Sequence, residues 1–313
     1  MLLNWLKIYH YLLPVRTYVR KRYDNSRSLA HKGMYFKNRI GLAAGFDKNA
    51  EAFDELADFG FGFLELGTVT PSPQHGNPFP RIFRLARDKS LISRTGFNNP
   101  GMHKVLEHIR KYRRHHYTLG VNINKNPLST GKQIVEDFER VFILLYAHVD
   151  YFTLNWGSID NHNFVQVLKR LTLFRNASDI KCGIFIKLPA DIRKEELDRV
   201  ILLADEYSLD GFIATGPTMD RSELIATDQL EKIGVGGISG KGVAKKSRRV
   251  VLYLSEHTDN RFLIIGAGGI MTAQDAATMI TLGADMVQIY SAFVYSGPSI
   301  VRKIGKKLKR LSI

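Results

Sequence analysis

Eight short apolar runs punctuate the chain: Ile40–Ala44, Phe61–Leu66, Thr118–Asn122, Tyr151–Asn155, Gly183–Lys187, Gly211–Thr215, Phe262–Gly266 and Met286–Tyr290. Most are rich in β-branched or aromatic residues, as strands are. Stretches of helical character separate them: Asn49–Phe59, Gly101–Tyr112, Gly131–Ala147, Phe164–Leu173, Arg193–Tyr207, Gly242–His257 and Thr272–Leu282. Strand and helix alternating at this spacing imply parallel strands with crossover helices. Eight repeats over about 250 residues fit a (β/α)8 TIM barrel better than an open doubly wound sheet. No Ser/Gly/Pro-rich linker divides the chain, so residues 1–34 are expected as a short helical cap and residues 35–313 as the barrel.

Polar residues follow every run. Ile40–Ala44 leads into Gly45, Phe46, Asp47 and Lys48; Phe61–Leu66 into Gly67 and Thr68; Thr118–Asn122 into Asn124 and Lys125; Tyr151–Asn155 into Trp156, Gly157 and Ser158. The later runs end at Lys187, at Thr215-Gly216-Pro217-Thr218, at Gly266-Ala267-Gly268-Gly269 and at Tyr290-Ser291. In this architecture the C-terminal ends of the strands carry the active site.

Two glycine clusters, Gly236–Gly240 and Gly266–Ile270, flank the seventh run and suit a phosphate held by backbone N–H groups; barrel turns also need glycines. The chain lacks a P-loop and a dinucleotide fingerprint with its acid, so a mononucleotide such as FMN is the natural occupant. Lys187, ending a strand with no acid beside it in sequence, could face the pyrimidine side of a flavin, where a cation stabilises the reduced ring.

Charge changes the picture at the ends. The chain has 45 Lys+Arg against 30 Asp+Glu, a net +15, which favours an anionic partner. Residues 1–39 hold nine cations (Lys7, Arg16, Arg20, Lys21, Arg22, Arg27, Lys32, Lys37, Arg39) against the single acid Asp24. They interleave with Leu2, Leu3, Trp5, Leu6, Ile8, Tyr9, Tyr11, Leu12, Leu13, Val15 and Tyr18. That mixture fits a segment lying on an anionic membrane surface; a basic helix packed on the protein body is the plainer alternative. The run Arg302–Arg310 reads as the solvated face of a C-terminal helix. The longest apolar stretches fall far short of a bilayer span, and no secretory signal pattern opens the chain. Cys182 is the only cysteine, which suits a reducing compartment and a small buried residue. His115 and His116 lack a second ligand pair, so no metal is expected.

Several blocks together resemble the quinone-linked (class 2) dihydroorotate dehydrogenases: GLAAGFDK from Gly41 to Lys48, ELGTVTP from Glu65 to Pro71, PRIFRL from Pro80 to Leu85, GFNN from Gly96 to Asn99, GVNINKN from Gly120 to Asn126, ISG from Ile238 to Gly240, IGAGGI from Ile265 to Ile270 and VQIYS from Val287 to Ser291. They run in family order from about residue 35 to 300. The resemblance implies a barrel holding FMN, oxidation of dihydroorotate to orotate, and electron delivery to a membrane quinone under N-terminal helices. It implies a peripheral protein on the cytoplasmic face of the cell membrane. Class 2 members take the substrate proton with a serine where class 1 members use cysteine, which puts Ser158 in that role.

By the same block-by-block transfer, Lys48, Asn98, Asn155 and Asp160 fall at substrate-binding positions. Ala44, Gly45, Lys48, Thr68, Asn122, Asn155, Lys187 and Thr215 fall around the flavin ring, and Gly240, Gly268, Gly269, Tyr290 and Ser291 around its phosphate. Arg84 and Tyr290 line the quinone approach. Two departures stand out. The family's catalytic loop reads Ser-Pro-Asn-Thr where this chain has Ser158-Ile159-Asp160-Asn161, and the family's Asn after the sixth-strand threonine is Gly216 here. The cap is also shorter than the family's two-helix extension.

The competing functions are a related FMN oxidoreductase acting on a different, uncharged or cationic ring, towards which Asp160 and Gly216 point, and a catalytically weak flavoprotein on the membrane surface. Nucleic acid is not an expected partner, because no recognition module or stacked aromatic platform accompanies the charge.

Overall fold

The computed structural model describes every residue except 1–5, 7, 26, 32, 113–116, 226, 312 and 313. All eight expected runs are strands: β1 Ile40–Leu42, β2 Phe63–Val69, β3 Thr118–Ile123, β4 Tyr151–Asn155, β5 Gly183–Leu188, β6 Gly211–Ala214, β7 Leu263–Ala267 and β8 Met286–Ile289. They follow one another in chain order round a closed barrel, the TIM barrel expected from the alternation. Pairing is parallel, with Phe63 opposite Thr118, Gly120 opposite Tyr151 and Gly211 opposite Leu263. The intervening helices Met102–Arg110, Lys132–Leu145, Asn161–Asn176, Lys194–Glu206, Ala244–His257 and Ala273–Thr281 lie where the sequence put them. The first is shorter than expected, Phe53–Ala57 against Asn49–Phe59, because the Asp47 carboxylate takes the N–H groups of Glu51 (3.0 Å) and Ala52 (2.8 Å) and holds that stretch as turn.

The chain forms two compact units, residues 1–75 with 97–185 and residues 76–96 with 186–313. In the first, aromatic side chains fill the inward face of the strands: Phe63 meets Phe36 edge-on at 5.5 Å between centroids, and Tyr151 meets Phe185 at 5.2 Å. Space for Tyr151 comes from Gly120 opposite it, where a Cβ would stand 2.0 Å from the phenol ring. The hairpin of Leu29–His31 and Met34–Phe36, which straddles position 34, supplies Phe36 to this cluster.

In the second unit the glycine cluster before β7 is not only a loop. Gly237–Gly240 is a strand, antiparallel to Ser90–Ser93, which pairs in turn with Ile82–Leu85. Its core is Leu85, Ile92, Leu224, Leu230, Ile233 and Ile238. The helices Ser291–Ser296 and Ser299–Arg310 close the chain, the latter burying Ile300, Val301, Ile304 and Leu308.

The N-terminal helix Leu13–Tyr23 is inverted relative to an ordinary surface helix. Its one buried residue is Arg16, at 5% exposure, while Leu13 is 68% exposed and Tyr18 and Val15 also face solvent. Arg16 donates to Asp54 and to Asp58, each at 2.7 Å, and Arg20 adds a second hydrogen bond to Asp58. Tyr9 donates to Asp58 at 3.3 Å and stacks on Phe59, His10 bonds Glu55, and Tyr117 donates to Asp54 at 3.2 Å. Burial pulls the Arg16 proton affinity down, and the hydrogen bonds to Asp58 and Asp54 more than offset it, so the guanidinium stays charged. Leu2, Leu3, Trp5, Lys7 and Lys32 of the expected basic, aromatic segment lie outside the described residues, as do His115 and His116. Among the described residues no helix is long and apolar enough to cross a membrane, and no three His, Cys, Asp or Glu side chains gather to hold a metal.

Candidate active site

In the first unit the residues at and beyond the ends of β1 to β4 form two hydrogen-bonded polar groups. Gly45, at φ +94°, turns the chain out of β1 and donates to the Gly67 carbonyl at 2.8 Å. The next residues carry Asp47 and Lys48. Asp47 is buried, which raises its proton affinity against the pull of the two N–H groups it accepts, and it fixes the turn that presents Lys48. The Lys48 Nζ donates to Asn98 Oδ1 at 2.9 Å.

Asn98 and Asn99 are adjacent but differently used. Asn99 is buried and spends its amide on the Thr70 hydroxyl (2.8 Å), the Phe97 carbonyl (2.6 Å) and the Gly101 N–H (2.9 Å). That bracing holds the loop so that Asn98 reaches Lys48.

At the ends of β3 and β4, Asn122 and Asn155 bind each other reciprocally, Nδ2 to Oδ1, at 3.0 and 2.9 Å. Thr68, near the end of β2, donates to Asn122 Oδ1 at 2.6 Å. Ser158 follows β4 and donates to the Asn155 carbonyl at 2.8 Å, half buried. Asp160 takes a different part from the one the resemblance implied. It is exposed and caps the helix Asn161–Asn176, accepting the Asn163 N–H at 2.9 Å and its side-chain amide at 2.5 Å. Those two bonds hold its carboxyl below the usual carboxylate range.

In the second unit, Lys187 sits half buried near the end of β5. Thr215 is buried after β6; its hydroxyl bonds Ser247 at 2.7 Å and donates to the Gly216 carbonyl at 2.9 Å, while its N–H reaches the Ala267 carbonyl. After β7, Gly268 and Gly269 hold φ of +89° and +77°, and their N–H groups have no acceptor among the described residues. Gly269 has no room for a side chain, since a Cβ would stand 2.3 Å from Ala244 Cα. Ser291 Oγ pairs with Ser239 Oγ at 2.9 Å, and burial raises the proton affinity of Tyr290. Arg84 lies over the Tyr295 ring, 4.0 Å from its centroid. Free N–H groups at left-handed glycines, two hydroxyls and no acid in that set can hold a phosphate. The amides of the first unit can pair with a ring edge that alternates carbonyl and N–H.

The family model described as Dihydroorotate dehydrogenase matches residues 28–311. A protein of Christiangramia forsetii named dihydroorotate dehydrogenase (quinone) is 39% identical over 285 residues, spanning 88% of this chain and 82% of its own. One of the same name from Teredinibacter turnerae is 37% identical over 295 residues, spanning 90% and 86%. The chain belongs to the dihydroorotate dehydrogenase family.

Solved structures of the family agree in fold. Dihydroorotate dehydrogenase from Eimeria tenella, crystallised without ligand, superposes with a TM-score of 0.84 at 30% identity over 95% of this chain and 93% of that one. Its complex with ferulenol gives 0.83 at 31%, over 95% and 89%. Within this family member, sequence reasoning passed over two residues. Asn124 Nδ2 and Thr153 Oγ1 are buried without a hydrogen-bond partner among the described residues. Thr153 shares a strand face with Asn155, two residues on, and a polar residue at an inward strand position was the signal that could have marked it.

Proposed function

We propose that the chain oxidises dihydroorotate to orotate in pyrimidine biosynthesis, with FMN as the bound electron acceptor and a membrane quinone as the final one. The observation that carries this reading is the pair of hydrogen-bonded groups Lys48–Asn98 and Thr68–Asn122–Asn155, with Ser158 bonded to the Asn155 carbonyl.

Several features support FMN. Asn124, just after β3, and Thr153, within β4, keep unused buried polar atoms, and Gly268 and Gly269 keep unused N–H groups. Ala44, Gly45, Thr68, Asn122, Asn155, Lys187 and Thr215 would hold the ring; Gly240, Gly268, Gly269, Tyr290 and Ser291 the phosphate. FMN, when bound, supplies the acceptor for the hydride leaving one ring carbon of the substrate. The protein handles the proton on the neighbouring carbon. Lys48 would offer its ammonium to the substrate carboxylate, and Asn98 and Asn155 would orient the ring by its carbonyls and N–H groups. Ser158 would accept the carbon-bound proton as it releases its own; a hydroxyl is too weak a base to act without that relay. Its bond to the Asn155 carbonyl must then break, and that bond keeps the hydroxyl near the amide that orients the ring.

The inverted helix supports a peripheral position on the cytoplasmic face of an anionic membrane. Ile8, Tyr11, Leu12, Leu13, Val15 and Tyr18 are exposed together on the N-terminal segment, which also carries Arg20, Lys21 and Arg22. Arg84 and Tyr290 are assigned to the quinone approach. A second reading, a different ring substrate, is favoured by Gly216 alone. A Cβ there would meet only the Leu188 carbonyl, at 3.7 Å, so the position is open where the family's asparagine stands.

Anaerobic stopped-flow mixing of the purified protein with dihydroorotate, followed by flavin absorbance, tests the proposal. Rapid bleaching, slowed by roughly 10²- to 10⁴-fold in Ser158→Ala, is expected. A yellow protein that stays oxidised would remove dihydroorotate and leave the second reading; a colourless protein that takes up no added FMN would remove the flavin.

A further inference from the structure

A cavity of about 390 Å³ lies in the second unit among Lys89, Met271, Thr272, Tyr295, Ile300 and Lys303. None of the residues assigned to substrate, flavin or quinone lines it. Its apolar wall is Met271, Tyr295 and Ile300, and its charge is wholly positive. The ammonium groups of Lys89 and Lys303 have no ion-pair or hydrogen-bond partner among the described residues. Acids close by in sequence are already engaged. Asp88 accepts the Ile225 N–H at 2.6 Å, and Asp275 caps its own helix through Thr272 and pairs with Arg248 at 2.7 Å.

The walls are held in place. The Tyr295 hydroxyl donates to the carbonyls of Ser90 (2.9 Å) and Leu85 (3.1 Å), fixing the helix Ser291–Ser296 to the strands on either side of Lys89. Ile300 and Lys303 are three residues apart on Ser299–Arg310 and therefore neighbours on one helix face. That helix carries Arg302, Lys303, Lys306, Lys307, Lys309 and Arg310 and no acid. A field of one sign raises the local concentration of anions at the cavity mouth.

We propose that this cavity binds a phosphomonoester attached to an apolar stem, with Lys89 and Lys303 clamping the phosphate and Met271, Ile300 and the Tyr295 ring covering the first carbons of the stem. Two free ammonium groups match a dianionic phosphate, and the volume is within the usual range for small-ligand sites, at the lower end, which suits a headgroup and a short stem. The same chemistry could arrive as a phosphatidate-type lipid or as a soluble phosphate compound.

Isothermal titration of the full chain, saturated with FMN so that the flavin phosphate site is filled, separates these. The probes are inorganic phosphate and dihexanoyl phosphatidate below its micelle concentration. We expect the phosphatidate to bind one to one and at least tenfold more tightly than inorganic phosphate, which assigns the lipid source. Lys89→Gln with Lys303→Gln should weaken it at least tenfold. Lys306→Gln with Lys309→Gln, an equal loss of charge on the same helix, should weaken it less than threefold. Equal binding of inorganic phosphate would overturn the apolar stem. Absence of saturable binding, or equal weakening by the two double variants, would overturn the site itself. Unchanged melting temperatures show that the variants fold.

Discussion

The Arg16 guanidinium meets the Asp58 carboxylate at 2.7 Å with 5% and 2% of the two side chains exposed, so the N-terminal helix is fastened by a charge pair shut away from water. Asp54 is the second anchor, and the buried Tyr117 hydroxyl donates to it at 3.2 Å. An ion pair of this kind contributes little over a well-packed apolar pair, but removing one partner leaves buried charge behind.

Arg16→Ala should therefore destabilise the protein by about 3–5 kcal/mol, because the buried carboxylates of Asp54 and Asp58 would keep only the half-exposed Arg20 as a cation. Arg16→Lys should recover only part of the loss, since a single ammonium cannot serve carboxylates on two sides as a guanidinium fork does. Urea unfolding measures the first quantity, and limited proteolysis of residues 8–25 reports where the chain opens. A loss below about 1 kcal/mol would mean that the cluster does not hold the helix.

Exposure of apolar residues on the same segment should serve binding rather than stability. Tyr11 is 82% exposed and Leu13 68%. Tyr11→Glu with Leu13→Glu is expected to abolish co-flotation with vesicles containing anionic phospholipid and to shift the melting temperature hardly at all. Vesicle binding that survives the double change would place the contact elsewhere on the protein.

The neighbours Asn98 and Asn99 should separate in kind. Asn99→Ala removes the acceptor of the Thr70 and Gly101 N–H groups, and should cost about 1–3 kcal/mol of stability. Asn98→Ala removes the Lys48 contact and should change stability by less than about 0.5 kcal/mol. Its effect should be a raised KM for dihydroorotate. Thermal melts and steady-state kinetics on both variants make the comparison; equal destabilisation would reassign Asn98 to the framework.

Asp160 should behave as a helix cap. The bonds from the Asn163 N–H and side-chain amide lower its folded proton affinity, so its contribution is complete above the unfolded value and is lost as the pH falls through the folded one. Asp160→Ala is expected to melt earlier than the parent at pH 7, with the gap closing below about pH 4. Asp160→Asn should keep the cap, because asparagine serves at that position as well as aspartate does. Calorimetry at pH 7 and pH 3 checks this, and a gap that does not change with pH would remove the carboxylate from the account. Unchanged dihydroorotate kinetics in Asp160→Asn would show that the substrate does not meet this side chain.

The barrel was legible because strands buried on both faces write themselves as unbroken apolar runs, and because the polar residues that follow them mark one end of each. Lys48, Asn122 and Asn155 were readable in that way. The strand Gly237–Gly240 was not, since its partner Ser90–Ser93 lies some 150 residues away and nothing local announces a pairing at that separation. Its glycines looked like a phosphate loop, yet Gly240 also has a packing reason, because a Cβ there would stand 2.5 Å from the Lys89 carbonyl. The capping role of Asp160 was missed for a different cause. An acid three residues before Asn163 at the start of a helical stretch is a capping signal, and the matching loop block drew attention to the substrate instead. The burial of Arg16 was beyond the sequence altogether, because its partners, Asp54 in the helix Phe53–Ala57 and Asp58 at that helix's end, lie about 40 residues on.

If the N-terminal segment meets a membrane as proposed, its two attachments should answer oppositely to ionic strength. The Arg16–Asp58 pair is buried away from counterions, whereas Lys21 and Arg22 in the last turn sit where salt can reach them. A wash with concentrated salt should then lift the protein from a bilayer with its helix still seated on the barrel, and dilution should let it return without refolding.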